Sequence, residues 1–512
     1  MSEAVLPQSW VSTSLGDLIK FNPKSQEDDC SEAGFVPMAM TPACYGGKLE
    51  FETRQWGKIK KGYTHFRDGD VIFAKITPCF ENGKAAIVSG LPNGFGSGST
   101  EYYVLRPFTS SVNIHFIYSI IKSSGFLHKG AMNMTGAVGH KRVPKDFVLS
   151  YPVALPPLNE QTRIANKLDE LLAQINTIKA RVDAIPAILK RFRQSVLAAA
   201  VSGKLTEEWR AENCGKLSYE QIENAYRSGW ELEKQREFAI KGKPPINDKW
   251  KEKLPAPYLP SIEDKELFHE TPESWKLVSL NQVTRFVKDG PHFSPKYTES
   301  GIPFISGRNV SQDGINFYSA KYISRELHEE LSRRCKPEIG DILYTKGGTT
   351  GIACVNREDI EFNVWVHVAV LRVSDDSLIS PEYITLALNS PTCYQRSQYY
   401  THGVANRDLG LKRMIKICFP IPCLSEQEYI VDKVDQLYAF ADQIEQRVKD
   451  AQSRINNLTQ SILAKTFRGE LVPQDPNDEP ASVLLERIKK EREAAAKLAK
   501  AAKKVVSKKV KA

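Results

Sequence analysis

The chain has 512 residues, of which 41% are hydrophobic and 26% charged, and its formal net charge is +9. These values are typical of an ordinary globular protein of roughly two to four domains, and no apolar run is long enough to cross a membrane. The first residues lack the basic start and apolar stretch of a secretory signal, so we expect a cytoplasmic protein without a membrane partner. The nine cysteines form no CxxC pair, which argues against a zinc site or a disulfide framework.

The positive charge is concentrated at one end of the chain. Residues 489–512 carry ten Lys and Arg against two Glu, which accounts for +8 of the net +9. The rest of the chain is nearly neutral, so any affinity for nucleic acid must come from local patches. Residues 473–512 form a basic tail, and for its lysine-rich part, 489–512, we expect a frayed and solvated segment, with contacts to phosphate groups as the alternative.

The first lobe, residues 1–155, is predicted to mix strands and helices. GDVIFAK (69–75) and TEYYVLRP (100–107) are short β-rich runs bounded by turn residues. Helical spacing follows a polar start in 111–126. These patterns predict an α+β domain of about 150 residues with long irregular loops.

A long helix is predicted over 156–205. Its apolar residues recur in alternating steps of four and three for more than four heptads, which is the pattern of a coiled coil. Pro186 lies within this pattern and should kink the helix locally. The following segment, 206–271, is charged and proline-containing with a helix-like stretch around 218–241, and we expect an extended connector.

The second half of the chain repeats the first at a shift of about 266 residues. Residues 422–471 are identical to 156–205 at eighteen of fifty positions without a gap, and both segments share the heptad seam. The lobes also correspond: GDILYTK (340–346) matches GDVIFAK, and 380–398 has helical spacing like 111–126. We therefore predict a second lobe over 272–420 and a second coiled-coil helix over 421–472.

The repeat predicts an α+β fold in which two duplicated domains are separated by two long antiparallel coiled-coil helices with pseudo-twofold symmetry. A helix of about 44 residues spans about 65 Å, so the lobes should sit at opposite ends of a rigid spacer. Symmetric dimers read palindromic DNA because the spacing of half-sites follows protein symmetry. Two unequal lobes at a fixed separation would suit an asymmetric, split DNA site.

The helical segments carry a family resemblance. PPLNEQ (156–161) and QSVLAAAVSGKL (194–205), with their counterparts at 422–427 and 460–471, resemble the shared regions of DNA-specificity subunits of type I restriction-modification systems. The resemblance implies that each lobe is a target-recognition domain for one half of a bipartite site in double-stranded DNA. It further implies that the helices set the gap and dock two modification (methyltransferase) subunits, to which restriction (motor-nuclease) subunits are added.

The resemblance also implies that the chain has no catalytic activity of its own. The sequence agrees, because it contains no [DN]PP[YF] methylation motif, no GxxxxGK[ST] phosphate loop and no HExxH. We expect no catalytic residue, metal or cofactor on this chain. S-adenosylmethionine, ATP and magnesium are expected on the partner subunits.

Candidate DNA-binding residues are side chains that read bases or bind phosphates from loops. The paired loops at 135–146 and 401–413 are favoured, because they occupy equivalent positions in the two lobes yet differ in sequence. The candidates in the first lobe are His140, Lys141, Arg142, Lys75 and Lys84, and those in the second are Arg308, Asn309, Lys346, Asn406, Arg407, Lys412 and Arg413. Lys75, Lys84 and Tyr45 are weaker candidates, and His292 and Lys296 are further ones. A solvated surface charge or a loop cap is the alternative for each residue.

Two other functions remain open at this stage. A protein scaffold whose lobes each bind a protein would show the same heptad seam, but it would lack salt-sensitive, sequence-selective retention of DNA. A self-contained nuclease or methyltransferase would modify DNA without partners.

Overall fold

The computed structural model describes residues 6–509 apart from Val138, Cys214, Ala405 and Asn406, with backbone only from 499 onward. The chain divides into two compact units. Unit 1 comprises residues 1–184 and 448–512, and unit 2 comprises residues 185–447. Each unit therefore contains one lobe and one part of each long helix.

The strands of the first lobe form two four-stranded sheets and one strand pair. The ranges are β1 Val11–Ser14, β2 Ile19–Phe21, β3 Glu32–Val36, β4 Glu52–Gln55, β5 Thr64–Arg67, β6 Val71–Ala74, β7 Ala85–Ile87, β8 Phe95–Gly98, β9 Tyr102–Pro107 and β10 Pro152–Leu155. The sheet orders are β2-β9-β6-β7 and β4-β3-β8-β5, and β1 pairs with β10. Strand β3 is parallel to β8, and the other pairs are antiparallel.

The second lobe repeats this topology. Its strands are β11 Lys276–Ser279, β12 Thr284–Asp289, β13 Ile302–Ile305, β14 Val310–Ser311, β15 Gly314–Ile315, β16 Lys321–Ile323, β17 Ile342–Thr345, β18 Ala353–Val355, β19 Asn363–Val364, β20 Val368–Val373 and β21 Cys418–Ile421. The order β12-β20-β17-β18 matches the first sheet of lobe 1, and β16-β13-β19 matches three strands of the second sheet. The predicted strands at GDVIFAK and GDILYTK are β6 and β17, and both are fully buried.

Short helices complete each lobe. In lobe 1 they are Leu15–Leu18, Trp56–Ile59, Ile114–Lys122, Ser124–Met132 and Lys145–Ser150, and in lobe 2 they are Leu280–Val283, Arg325–Ser332, Pro381–Asn389, Pro391–Tyr400 and Leu411–Met414. The helical patterns at 111–126 and 380–398 each form two helices instead of one. The break comes at Ser123 and Ser390, whose side chains cap the second helix of each pair.

The two long helices are the central helix Leu158–Ser202, which continues through Pro186, and the distal helix Leu424–Phe467. In unit 1 they run antiparallel, because Arg163 near the start of the central helix pairs with Asp478 beyond the distal helix, at 2.6 Å, while Asp183 accepts from Gln452. Apolar residues of both helices join the core of lobe 1.

In unit 2 the long helices also run antiparallel, because Thr206, just after the central helix, donates to Glu426 at the start of the distal helix, whereas the earlier Arg193 contacts residues further along the distal helix. The Arg193 guanidinium contacts Asp442 and Glu445 at 2.6 and 3.2 Å, and the Tyr438 hydroxyl donates to the backbone carbonyl of Arg193. Residues of both helices, including Val196, Ile430 and Val434, belong to the core of lobe 2. The predicted coiled-coil pairing is thus present within each unit.

The segment between the central helix and lobe 2 is folded and not extended as expected. Its helices are Glu207–Glu212, Tyr219–Lys241 and Ile262–Leu267. Helix Tyr219–Lys241 packs on Leu280–Val283 and β12 of lobe 2, and it buries Ile222, Ala225 and Tyr226. The helix predicted around 218–241 is confirmed, but the segment is not an extended connector, because an apolar stripe gives this charged helix a face to bury.

The described lysine-rich part of the basic tail is helical and not frayed, while its described side chains, up to residue 498, are mostly exposed as expected of a solvated segment. A C-terminal helix spans Ala481–Lys509, and its first turns bury Ala481, Leu484, Leu485 and Ile488 in the core of lobe 1. The Arg492 guanidinium donates to the Gly16 carbonyl at 2.7 Å. The apolar spacing i, i+3, i+4, i+7 explains why this part is ordered. Among the described helices, none is long and apolar enough to span a bilayer.

Candidate nucleic-acid interface

Each lobe is fixed to the start of its own long helix by the same buried hydrogen bond. In unit 1 the Trp10 indole N–H donates to Glu160 Oε2, and in unit 2 the Trp275 indole donates to Glu426 Oε2, both at 3.0 Å. These four residues match at a shift of 265 or 266. Buried polar groups favour one geometry because leaving them unpaired is costly, so these bonds orient each lobe on its helix.

The glutamine that follows each of these glutamates ties its helix to the lobe as well. Gln161 accepts from the Asn113 backbone N–H and donates to the Pro156 carbonyl. Gln427 accepts from the Ser380 backbone N–H and donates to the Pro422 carbonyl. The repeated Glu-Gln pair of the sequence therefore joins lobe to helix, and its role is structural.

The second oxygen of each glutamate has different partners in the two units. Glu160 Oε1 accepts from the Gln474 amide at 2.6 Å, whereas Glu426 Oε1 accepts from the Arg210 guanidinium at 2.6 Å and from the Thr206 hydroxyl at 2.7 Å. Burial raises the pKa of Glu160, and the bonds from Trp10 and Gln474 oppose that rise.

One glycine follows the last turn of each long helix and lies against a lobe. Gly203 and Gly469 have φ of +78° and +75°. A Cβ on Gly203 would lie 2.6 Å from Pro272 Cγ, and one on Gly469 would lie 2.5 Å from Pro7 Cγ. Only glycine fits both the left-handed backbone and the close approach.

A buried ion pair stabilises the central sheet of each lobe. Arg106 on β9 donates twice to Asp70, at 2.7 and 2.8 Å. Arg372 on β20 makes the equivalent bidentate pair with Asp341, at 2.7 Å for both bonds. Bidentate geometry of this kind fixes the relative position of neighbouring strands.

The predicted DNA-binding loops lie at the carboxyl ends of β6 and β17. We define recognition loop 1 as residues 135–142 and recognition loop 2 as residues 402–408. Backbone bonds join Thr135 to Arg142 in both directions, at 3.0 and 2.8 Å, and join His402 to Asp408 at 3.0 and 2.9 Å. Each loop is therefore a short excursion whose two ends are held together.

The same backbone bonds dock each loop on its strand. In lobe 1 the Val143 N–H donates to the Lys75 carbonyl and the Thr77 N–H donates to the Lys141 carbonyl. In lobe 2 the Leu409 N–H donates to the Lys346 carbonyl and the Gly348 N–H donates to the Arg407 carbonyl, so the two loops occupy equivalent sites.

Loop 1 exposes His140, Lys141 and Arg142. The Arg142 guanidinium donates to both oxygens of Glu101, at 2.8 and 2.9 Å. This bond lowers the pKa of Glu101, and the nearby Lys75 adds to the effect. The His140 and Lys141 side chains project from a loop whose base is held by this pair.

Loop 2 exposes Arg407, which donates to the Gln398 side chain. Asn406 lies outside the described residues. Lys412 is exposed on the short helix after the loop, whereas Arg413 donates to the Tyr400 and Asp408 carbonyls, both at 2.9 Å. The Arg413 guanidinium thus stabilises the end of loop 2 by binding its backbone.

The lysines after β6 and β17 differ in burial. Lys75 is half-buried, with its ammonium 5.2 Å from the centre of the Tyr103 ring. The Lys346 side chain is 5% exposed and contacts Asp289 and Asp408, each at 3.2 Å. Lys84 is half-buried and donates to the Met38 carbonyl at 2.9 Å.

Arg308 joins the loop 2 surface. It is exposed on the turn Gly307–Asn309, and a Cβ on Gly307 would lie 3.3 Å from the Gly347 carbonyl oxygen, beside the strand end that docks loop 2. Asn309 is 4% exposed and its amide donates to the Asn316 carbonyl and the Ser319 hydroxyl, so it holds the turn that carries Arg308.

Three further candidates, Tyr45, His292 and Lys296, have different environments. Tyr45 is buried, and burial raises its pKa. His292 and Lys296 are exposed, and His292 lies 3.3 Å from Asp289.

The sequence did not reveal the acidic residues that hold the loops. Glu101 is 41 residues from Arg142, and Asp289 is 57 residues from Lys346. Because candidate DNA-binding residues are sought among cationic and amide side chains, Asp and Glu are passed over. Asp408, next to Arg407 in a predicted loop, was the single sequence signal.

The family model for the type I restriction modification DNA specificity domain matches residues 7–187 and 272–451. Among curated proteins, the EcoAI specificity subunit of Escherichia coli is 28% identical over 89% of this chain and 82% of its own length. The EcoBI specificity subunit of Escherichia coli is 36% identical over 70% of this chain and 68% of its own length.

Solved structures share the fold. A chain from a structure of the type I R-M system covers 92% of this chain and 100% of its own length, with a TM-score of 0.63 and 18% identity. The HsdS subunit from Thermoanaerobacter tengcongensis covers 92% of this chain and 99% of its own length, with a TM-score of 0.53 and 18% identity. The chain therefore belongs to the family of DNA specificity subunits of type I restriction-modification enzymes, which are not catalytic themselves and leave catalysis to partner subunits.

Proposed function

We propose that this subunit reads an asymmetric bipartite site in double-stranded DNA, with each lobe recognising one half-site. The observation that carries the proposal is the pair of recognition loops. They dock through the same backbone bonds on equivalent strands, yet their sequences are TGAVGHKR and HGVANRD. A common framework with different loop side chains is what two different half-sites require.

The proposed contacts to DNA are the exposed side chains on and beside these loops. In lobe 1 they are His140 and Lys141, and in lobe 2 they are Arg308, Arg407 and Lys412. Lysine suits phosphate oxygens, while arginine suits the paired acceptors of guanine. Asn406 remains a proposed base reader because asparagine matches the edge of adenine.

We further propose that the helices set the gap between the half-sites. Each long helix begins in one unit and ends in the other. In this proposal the helices also dock two methyltransferase subunits, and motor-nuclease subunits join that complex in the cytoplasm. S-adenosylmethionine, ATP and magnesium are assigned to those partners.

Mapping methylated bases in DNA from cells that express this chain with its modification partner tests the bipartite site. The expected result is one motif with two unlike halves and a constant gap. An uninterrupted motif, or no sequence preference, contradicts the proposal, and salt-insensitive retention of the complex on DNA would favour a protein scaffold instead.

Substitution of the loop cations tests which half-site each lobe recognises. The double variant Arg407→Ala/Lys412→Ala should weaken one half-site, and the matched variant His140→Ala/Lys141→Ala should weaken the other. Each lost phosphate or base contact reduces binding by about tenfold. If both double variants affect the same half-site, the assignment of one lobe to each half is wrong.

Insertion of seven residues, one heptad, into each long helix tests the spacing. The expected motif keeps both half-sites and has a longer gap. Altered half-sites with the original gap would contradict the role given to the helices.

A further inference from the structure

In each recognition loop the residue that closes the loop forms an ion pair with a residue of the lobe body, at the end of the docking strand or of its neighbour strand, and the charges of the two pairs are reversed. In lobe 1 the loop residue is the cation Arg142 and the body residue is the anion Glu101. In lobe 2 the loop residue is the anion Asp408 and the body residue is the cation Lys346.

The two pairs occupy the same place in the fold. Arg142 and Asp408 each close their loop and each bridge the residue after the strand lysine, Ile76 in lobe 1 and Gly347 in lobe 2. The next residue along the chain, Val143 or Leu409, donates to the carbonyl of that lysine. The charge reversal is therefore a difference in side chains on a common backbone.

The Lys346 ammonium is engaged inside the lobe and its side chain is only 5% exposed. It donates to Asp289 and to the Val366 carbonyl, each at 3.2 Å, and lies 3.2 Å from Asp408. Asp289 is itself buried and also contacts Arg334 at 2.8 Å. Lys346 therefore acts on loop 2 through Asp408, which Arg413 contacts at 3.3 Å from the other side.

Glu101 could not anchor loop 2, which presents Asp408, because it would meet a like charge. For the same reason Lys346 could not anchor loop 1, which presents Arg142. The lobe 2 residue at the position of Glu101 is His367. The backbone N–H of Lys75 donates to the backbone carbonyl of Glu101, and the backbone N–H of Lys346 donates to the backbone carbonyl of His367. Burial and the nearby Lys346 lower the pKa of His367. In lobe 1 the lysine equivalent to Lys346 lies over the Tyr103 ring, while Glu101 takes the loop arginine.

We propose that Glu101 and Lys346 are positioning residues that set the two recognition loops through oppositely charged anchors and so determine which half-site each lobe accepts. This inference rests on the proposed function of the loops. It reassigns Arg142 and Lys346 from DNA contact to loop positioning. It also implies that a loop moved to the other lobe without its body partner would meet a like or unpaired charge, and would lose its selectivity.

The test uses the complete complex with its modification partner and the methylated-base map as the readout. Glu101→Gln should reduce methylation about three- to tenfold or relax selectivity at the half-site of lobe 1, because one charge-assisted bidentate bond is lost. The other half-site and the gap should not change. The charge-swapped variant Glu101→Arg/Arg142→Glu should restore the lobe 1 half-site, which a direct role of Arg142 at DNA would not allow.

Asp408→Asn is the matched variant in lobe 2, and it leaves Lys346 paired with Asp289. Lys346→Met is the stronger variant, and if it does not fold then Asp408→Asn decides the result for that lobe. Both should affect only the lobe 2 half-site. A wild-type complex without a bipartite motif would overturn the proposed function. A bipartite motif that Glu101→Gln and Asp408→Asn leave unchanged, or a swap that fails to restore it in a complex of normal thermal stability, would overturn the anchors alone.

Discussion

Glu160 in unit 1 and Glu426 in unit 2 occupy the same position at the start of a long helix, and each accepts a hydrogen bond from a tryptophan of its lobe. They differ in their second partner, which is the neutral amide of Gln474 in unit 1 and the charged guanidinium of Arg210 in unit 2. The shared bond from tryptophan fixes the geometry of the junction, while the second carboxylate oxygen binds a different side chain in each unit. In unit 1 the second oxygen of the glutamate is bound by a neutral amide, whereas in unit 2 it is part of a buried ion pair.

The largest effect expected from this difference is in Glu426→Gln. The variant leaves the Arg210 cation without its carboxylate, in a site where the Glu426 side chain is 2% exposed and that of Arg210 is 19% exposed. Removal of one member of a buried pair costs about 3 kcal/mol in the free energy of unfolding. The measurement is urea unfolding of the chain followed by tryptophan fluorescence.

Glu160→Gln is the matched control for that experiment. The substituted amide has a single acceptor, so the bond from Trp10 or the bond from Gln474 is lost, but no hydrogen-bonded cation loses its partner. We therefore expect a smaller loss of about 1 kcal/mol. Equal losses in the two variants would show that the two junctions do not differ in the way described.

A second comparison sets the C-terminal helix of unit 1 against helix Tyr219–Lys241 of unit 2. Leu484→Ala removes a fully buried side chain from the core of lobe 1 and should cost about 2.5 kcal/mol, as should Ile222→Ala on the other helix. Thermal unfolding monitored by circular dichroism provides the measurement. If Leu484→Ala has no effect while Ile222→Ala destabilises, then the C-terminal helix does not complete unit 1.

A third comparison concerns the glycines that end the long helices. Gly203→Ala and Gly469→Ala should each cost about 2 kcal/mol, because alanine meets both a left-handed backbone and a proline side chain. Gly242→Ala is the control, since Gly242 has φ of +62° and a Cβ added there would meet no atom within 4 Å. Only the cost of the left-handed backbone then remains, about 1 kcal/mol. Denaturant midpoints compare the three, and a Gly242→Ala loss as large as the others would exclude the proline contacts as a cause.

The smallest effect separates two carboxyl groups of unit 1 by pH. Arg142 lowers the pKa of Glu101 below its usual value near 4.5, so its contribution to stability is complete above that value and is lost as the pH falls through the folded-state pKa. Burial raises the pKa of Glu160, so its charge opposes folding at neutral pH and this opposition is relieved as the pH falls.

Acid titration of unfolding midpoints between about pH 6 and pH 3 tests these signs. Relative to wild type, Glu101→Gln should flatten the loss of stability toward low pH, and Glu160→Gln should steepen it. Parallel curves for all three proteins would contradict both assignments.

The sequence predicted the parts of the fold that the duplication repeats. The strands at GDVIFAK and GDILYTK and the two long helices were identified because each pattern recurs in the second half, at a shift of 271 residues for the strands and 266 for the helices. The helix around 218–241 was predicted, but its packing on lobe 2 and the packing of residues 481–488 on lobe 1 were missed, because high charge concealed short apolar stripes such as Leu484, Leu485 and Ile488. Net charge describes solvation, whereas an i, i+3, i+4 stripe determines burial.

The candidate site could be located but not resolved in the same way. The shift between Thr135 and Thr401 identified both loops as equivalent. Their anchors were not visible, because Glu101 and Lys346 meet their loops only after the chain has passed through at least one strand and two helices. Contacts between residues so distant in sequence depend on tertiary structure, which local patterns do not encode.

Unit 1 is assembled from both ends of the polypeptide, and this has a consequence for biosynthesis. Lobe 1 leaves the ribosome first, yet Leu484 and Ile488 of its core are translated more than 300 residues after residue 155. At about 5 to 20 residues per second the nascent lobe waits roughly 20 to 60 s for these side chains. Lobe 2 and its preceding helix are made in one continuous stretch, so the second recognition domain can mature before the first.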